Sequence, residues 1–198
     1  VTLILNGVDI TCTVAPAVIF YNVYECGSTD EDTASETVDT SAAGANVLIA
    51  DGTINNVTGS YVARIYDPDS VVLSEDGMTV EDSEKLHKYD GAFYSKMSMN
   101  VDGGEAGTGV LNITADNEGL DTELHLTING GTINITSGND GINTNEDNVS
   151  VTTVNGGSVN IQVAGETGEG DGIDSNGWLV INGGAVTDAA CSDSGDAG

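Results

Sequence analysis

Residues 128–145 read I-N-G-G-T-I-N-I-T-S-G-N-D-G-I-N-T-N. This is a short strand, an N-G-G turn, a second short strand and an N-D-G-I bend. The phrase returns. Val154-Asn155-Gly156-Gly157-Ser158-Val159-Asn160-Ile161 leads to Gly170-Asp171-Gly172-Ile173-Asp174, and Ile181-Asn182-Gly183-Gly184-Ala185-Val186 begins it once more. Upstream, Leu111-Asn112-Ile113-Thr114 leads to Asn117-Glu118-Gly119-Leu120-Asp121, with a looser copy at Asp90-Gly91-Ala92-Phe93. Gly91, Gly119, Gly141 and Gly172 are therefore 28, 22 and 31 residues apart. Self-similarity at such a period marks a repeat architecture. Each copy holds short runs of Ile, Val, Leu and Thr in two-residue alternation, bounded by Gly, Asn and Asp, which is strand and turn chemistry. No window carries a sustained helical period. The fold class expected is all-β, a parallel β-helix (β-solenoid) in which each coil buries its apolar side on its neighbours. Unequal steps put acidic insertions in loops.

The register follows from the N-G-G turn, because strand side chains alternate faces. Ile128, Leu126 and Leu124 are expected inside, as are Val101, Met99 and Met97, and Ile181 and Leu179. Thr152 takes an inward place, so a bulge or slip is expected there. On the next strand Leu111/Ile113, Ile133/Ile135 and Val159/Ile161 point inward, leaving Asn112, Asn134 and Asn160 in an outward polar ladder. His125 falls on the outward face.

The 198 residues suffice for one domain, 1–198, with a substantial core. Asp plus Glu number 32 against four Lys plus Arg, a formal charge of −28. That disfavours nucleic acid and anionic membranes as partners, since phosphate binding needs Lys and Arg. It also strains a compact state by self-repulsion, which bound cations relieve; carboxylate, carbonyl and water oxygens suit Ca²⁺. No apolar run is long enough to span a membrane. Residues 27–44 are acidic and rich in Ser and Thr, and read as a solvated loop insertion. Residues 67–90 form a second insertion with Lys85, His87 and Lys88. The three cysteines, Cys12, Cys26 and Cys191, leave a Cys12–Cys26 bridge open as one pairing. Both ends look cut, as in a fragment of a longer secreted chain.

The ordered set L-N-G-V-D-I-T-C (5–12), A-D-G-T (50–53), D-G-A-F-Y-S-K (90–96) and I-N-G-G-T-I-N-I-T…N-D-G-I resembles a family of bacterial secreted carbohydrate-binding domain-containing proteins. The resemblance covers nearly the whole chain outside the two insertions. It implies a single-stranded right-handed parallel β-helix, bound Ca²⁺, a plant cell-wall polysaccharide ligand (cellulose or pectin-like), and structural kinship to calcium-dependent pectate lyases.

Metal candidates are the bends. Glu118, Asp140 and Asp171 are expected one above another, as are Asp121, Asn143 and Asp174, with Asn139, Asn145 and Asn176 adding amide oxygens. Like charges on adjacent strands repel unless a cation bridges them. The competing reading is that Asp/Asn-Gly is merely what tight turns require. Carbohydrate-binding candidates are Trp178, the single tryptophan, whose ring can stack on a sugar; Asn112, Asn134 and Asn160; and Tyr94. Elimination at a uronic acid needs a base, and Lys96 alone has a suitable position. The function expected is a non-catalytic, calcium-binding carbohydrate-binding module. The alternatives are a filament-forming or adhesive extracellular subunit that stacks end to end through unpaired strand edges, and a calcium-dependent polysaccharide lyase.

Overall fold

The structure is a computed structural model, and it describes residues 1–67, 69–82, 85–164 and 170–189. The chain lays down short strands in a fixed rotation among three sheets. The first round is β1 (Thr2–Leu5), β2 (Asp9–Thr11) and β3 (Val18–Phe20). The second is β4 (Ala45–Ile49) and β5 (Ile54–Gly59), followed by an excursion of β6 (Val62–Tyr66), β7 (Val72–Leu73), β8 (Val80–Asp82) and β9 (Lys85–Tyr89), and completed by β10 (Gly91–Ser95). Then come β11 (Met99–Asp102), β12 (Val110–Ala115) and β13 (Glu118–Thr122); β14 (Leu126–Ile128), β15 (Thr132–Ser137) and β16 (Ile142–Thr144); β17 (Val151–Val154), β18 (Ser158–Val163) and β19 (Ile173–Ser175); and finally β20 (Trp178–Ile181) and β21 (Ala185–Ala189).

Every strand of a rotation pairs in parallel with its counterpart in the next. The first sheet runs β1-β4-β11-β14-β17-β20, the second β2-β5-β12-β15-β18-β21 and the third β3-β10-β13-β16-β19. The register matches repeat to repeat: Leu111, Ile133 and Val159 align, as do Ile113, Ile135 and Ile161. These side chains share one apolar core with Val47, Met99, Leu126 and Ile128 of the first sheet and Phe93, Leu120 and Ile142 of the third. Burying such a side chain contributes about 1.5–3 kcal/mol. No single round could enclose its own apolar residues, so adjacent rounds stabilise one another.

The sequence expectations need several corrections. No bulge occurs at Thr152: β14 and β17 pair in continuous register, Leu126 opposite Thr152 and Ile128 opposite Val154. Thr152 sits fully buried with its hydroxyl 3.2 Å from that of Thr144, which also lies 3.0 Å from the Ser175 hydroxyl. An inward threonine is tolerated because it finds a hydroxyl partner inside. The second insertion starts before residue 67: β6 pairs antiparallel with β9, and β7 with β8, as excursions from the parallel sheets. Cys12 and Cys26 are free thiols, and Cys191 lies outside the described residues.

The acidic segment 27–44 is not a free loop. It holds one 3₁₀ turn, Glu31–Thr33, and folds back as a flap over the outer face of the first sheet. Glu25 anchors its start by accepting hydrogen bonds from the backbone N–H of Cys26 (2.6 Å), Gly27 (2.7 Å) and Ser98 (2.6 Å). Farther along, the Thr40 hydroxyl lies 2.6 Å from that of Thr127, and Asn100 Nδ2 donates to the Thr40 carbonyl at 2.8 Å. Thr40 and Ala43 are buried. His125 points out of the strand core as alternation predicts but is buried by this flap: its ring lies against Gly27, where any β-carbon would collide with it.

Candidate functional site

The carboxylate ladder expected at the bends is assembled by the third sheet. Asp121, Asn143 and Asp174 align across β13, β16 and β19, with Tyr94 one strand earlier. The Glu118 and Asp140 levels are joined by the Gly119 N–H to Asp140 carbonyl bond, and the Asp171 N–H donates to Asp140 Oδ1 at 2.8 Å. The acids are deep: Asp121 is 0% exposed, Glu118 3% and Asp140 6%. Amides interleave with them. Asn143 Nδ2 donates to Glu118 Oε1 at 3.1 Å, Asn145 Nδ2 to Asp121 Oδ1 at 2.5 Å, and Asn139 Nδ2 to Asp140 Oδ2 at 3.3 Å. Asn143 Oδ1 is buried there without a hydrogen-bond partner. Asn176 lies apart, donating to the Asn145 carbonyl and to Asp147.

The competing turn reading is corrected by the backbone. The glycines with positive φ are in other turns, such as Gly131 (φ 87°) and Gly157 (φ 83°) of the N-G-G triplets. Gly91, Gly119, Gly141 and Gly172 are not among them, and Gly91 and Gly119 lie inside strands. They are glycine for lack of room. A β-carbon on Gly119 would stand 2.5 Å from the Gly141 carbonyl oxygen and from Ile135 Cγ2, and one on Gly141 would strike Ile161 Cγ2. Turn chemistry therefore does not explain the acid that precedes each of these glycines.

Among the described residues no three Asp, Glu, His or Cys side chains converge as a metal-binding group. What gathers is a mixed oxygen set of carboxylates, amides and carbonyls, with one orphaned amide oxygen. That donor chemistry fits a hard cation such as Ca²⁺, which accepts carbonyl and amide oxygens and water beside carboxylates.

The outer face of the second sheet carries the predicted asparagine ladder, one member longer than expected. Asn112 donates to Asn56 (2.9 Å), Asn134 to Asn112 (2.8 Å) and Asn160 to Asn134 (2.9 Å). Each amide is thus committed to its neighbours. A second ladder joins Asn129, Asn155 and Asn182 at 2.9 Å per step, just past the ends of β14, β17 and β20. Its signal was the Asn that opens every N-G-G triplet.

The remaining candidates are scattered. Tyr94 was expected to meet sugar, but it is 3% exposed. Its ring packs edge-to-face on Tyr89 at 4.9 Å and its hydroxyl donates to Glu123 Oε1 at 3.0 Å. Burial and the neighbouring Glu123 carboxylate push its phenol far above the usual range. Trp178 opens β20, half-buried opposite Val151 and on the same face as Val180. Lys96 is exposed, with Nζ 5.0 Å from the Tyr21 ring centroid in a cation–π contact.

A family model matches residues 1–197, and its description is carbohydrate-binding domain-containing protein. The chain belongs to that family. Membership assigns it carbohydrate binding in general terms and covers the flap and the excursion as well as the parallel strands. No curated protein and no solved structure matches the chain. The described residues contain no helix long and apolar enough to cross a membrane. The ladder and the sheet registers could be read from the repeats. The position of the flap could not, because its anchors are backbone groups and single polar side chains.

Proposed function

We propose that the protein is a non-catalytic, calcium-binding module for plant cell-wall polysaccharide, cellulose or pectin-like, built as a right-handed parallel β-helix. The family match over 1–197 is the observation that carries the carbohydrate reading. The helix reading is supported by the fixed rotation among three parallel sheets around one core; its hand rests on the resemblance.

Calcium would be held by Glu118, Asp121, Asp140 and Asn143, with Asp171 and Asp174 continuing the ladder. It would neutralise buried carboxylates in a chain with 32 acids and four cations. Buried charge is costly unless paired or bound to a metal. The orphaned Asn143 Oδ1 supplies a ready neutral ligand. A secreted setting, implied by the resemblance, would provide calcium at the levels such sites use.

The test has two arms. Pull-down on microcrystalline cellulose and on polygalacturonate should retain the protein on at least one; passage through both would sink the carbohydrate reading. Thermal unfolding at fixed ionic strength should show a gain with Ca²⁺ beyond that with Mg²⁺, about 2.7 kcal/mol at 100 times Kd. Asp140→Asn should reduce the gain. An equal effect of both ions would reject a calcium-selective site.

End-to-end assembly is a second reading. Leu179 and Ile181 occupy the columns of buried Leu126 and Ile128, yet are 46% and 53% exposed among the described residues. Sedimentation at rising concentration tests it; a concentration-independent monomer would reject it.

A further inference from the structure

The flap leaves a cleft of about 400 Å³ between residues 36–41 and the outer face of the first sheet. Its floor is two columns of side chains, all polar except Val180. One runs Asn100, Thr127, Thr153 and Val180, in register on successive strands. The other is the Asn129, Asn155 and Asn182 ladder. From Asn100 to Val180 the floor advances three strand spacings, about 14 Å at ~4.8 Å each. The first column offers an amide or hydroxyl at its first three steps and ends on the apolar Val180, where Asn182 of the other column supplies the amide.

The flap itself shows what the floor accepts. Thr40 places its hydroxyl on Thr127 and its carbonyl on Asn100. Beyond Thr40 the column continues through Thr153, which is half-buried. Asn100 is only 8% exposed, yet its Oδ1 has no hydrogen-bond partner. A buried polar acceptor left unsatisfied is costly, so a donor brought to it is favoured. The walls exclude one ligand class. Glu36 and Asp39 line the cleft, and among the described residues no Lys, Arg or His does. Bonds from the Ser41 hydroxyl and N–H hold the Asp39 carboxyl below its usual range, so it is charged at neutral pH.

We infer that this cleft is the glycan subsite, and that it takes a neutral, hydroxyl-rich oligosaccharide rather than a polyuronate. The inference rests on the carbohydrate-binding reading above and adds to it a place and a ligand class. Hydroxyls of successive sugar rings would meet Thr153, Asn155 and Asn182. Trp178 stands two residues from Val180 on the same face, at the edge of the floor.

Isothermal titration with cellohexaose and with hexagalacturonate tests it on the whole chain, with thermal unfolding as the check on folding. Wild type should bind cellohexaose more tightly than hexagalacturonate. Thr153→Phe, which fills the floor, and Asn155→Ala should each weaken cellohexaose at least tenfold. Gln162→Ala, on the outer face of the second sheet, should stay within twofold. Glu36→Lys, an exposed change that leaves the floor intact, should strengthen hexagalacturonate severalfold, and it serves if the floor variants fail to fold. No binding of either probe by wild type overturns the carbohydrate reading and this inference with it. Cellohexaose binding that survives the floor variants but falls with Asn160→Ala overturns the inference alone, moving the site to the second sheet. Tighter binding of hexagalacturonate by wild type overturns the ligand class.

Discussion

At the scale of single residues, two kinds of glycine can be separated by experiment. Gly52 has φ 70° and nothing near the position of a β-carbon, whereas Gly119 has ordinary φ but is hemmed in by Gly141 and Ile135. Gly52→Ala should cost only the left-handed conformation, about 1–2 kcal/mol. Gly119→Ala must push apart neighbouring strands, and overpacking of this kind costs about 1–3 kcal/mol or more. It should also blunt any calcium gain, since Glu118 and Asp140 flank the displaced backbone. Urea unfolding with and without calcium distinguishes the two. A hydroxyl trio that reaches from the interior to the half-buried Ser175 makes another prediction. Thr144 touches both Thr152 and Ser175, while Ser175 also donates to the Trp178 carbonyl at 2.7 Å. Thr144→Val strands the Thr152 hydroxyl and should cost about 1–3 kcal/mol; Thr152→Val leaves Thr144 bonded to Ser175 and should cost less. Equal losses would show that the trio does not act as a chain.

At the scale of elements, the flap is where stability should depend on pH. Burial holds the His125 imidazole below its usual pKa, against an upward pull from Glu25. His125 Nδ1 accepts the Val151 N–H at 3.1 Å, which also requires that nitrogen to be unprotonated. Burial raises the Glu25 carboxyl, but the N–H bonds from Ser98, Gly27 and Cys26 outweigh it and set it below the ordinary value. Both groups bind fewer protons folded than unfolded. Their contribution is therefore complete above the unfolded pKa values, about 6.5 for His and 4.3 for Glu, and is lost as pH falls through the folded ones. Stability should drop first below about pH 6.5, by at most about 1.4 kcal/mol per pH unit from one imidazole. His125→Gln should remove that first descent and leave the one due to Glu25. A wild-type profile flat from pH 7 to 5 would contradict this account.

Repeating elements announced themselves: Leu111, Ile133 and Val159 recur with the same neighbours, and their register needed only the alternation of a strand. The flap and His125 occur once, so periodicity carried no information about them. Alternation alone pointed His125 outward, and it does leave the strand core; a one-off segment then covers it. Thr152 misled for a related reason, because a polar residue in an inward column suggested a slip when a partner hydroxyl was waiting inside.

At the scale of the whole molecule, charge dominates. A formal −28 on 198 residues must repel itself in any compact state. Without calcium, raising sodium chloride from about 10 mM to about 150 mM shortens the screening length from roughly 30 to 8 Å and should raise the thermal midpoint. Millimolar Ca²⁺ should exceed that effect at equal ionic strength. If salt alone reproduces the whole gain, the carboxylates are answered by screening and not by bound ions.

The matching registers also bear on how such a chain changes over generations. Between β12 and β15, and again between β13 and β16, partners are separated by the same 22 residues. Excising 112–133 would therefore join Leu111 to Asn134 with every facing pair in those two sheets still matched to an equivalent neighbour. A cut of 21 or 23 residues from the same point would set Leu111 beside Ile133 or Ile135, two inward residues in a row, and turn the rest of that strand over. Gain or loss of length within the repeats is thus quantised: each sheet can widen or narrow like a ruler, one strand graduation of about 4.8 Å at a time, with the neighbouring pairs still matched.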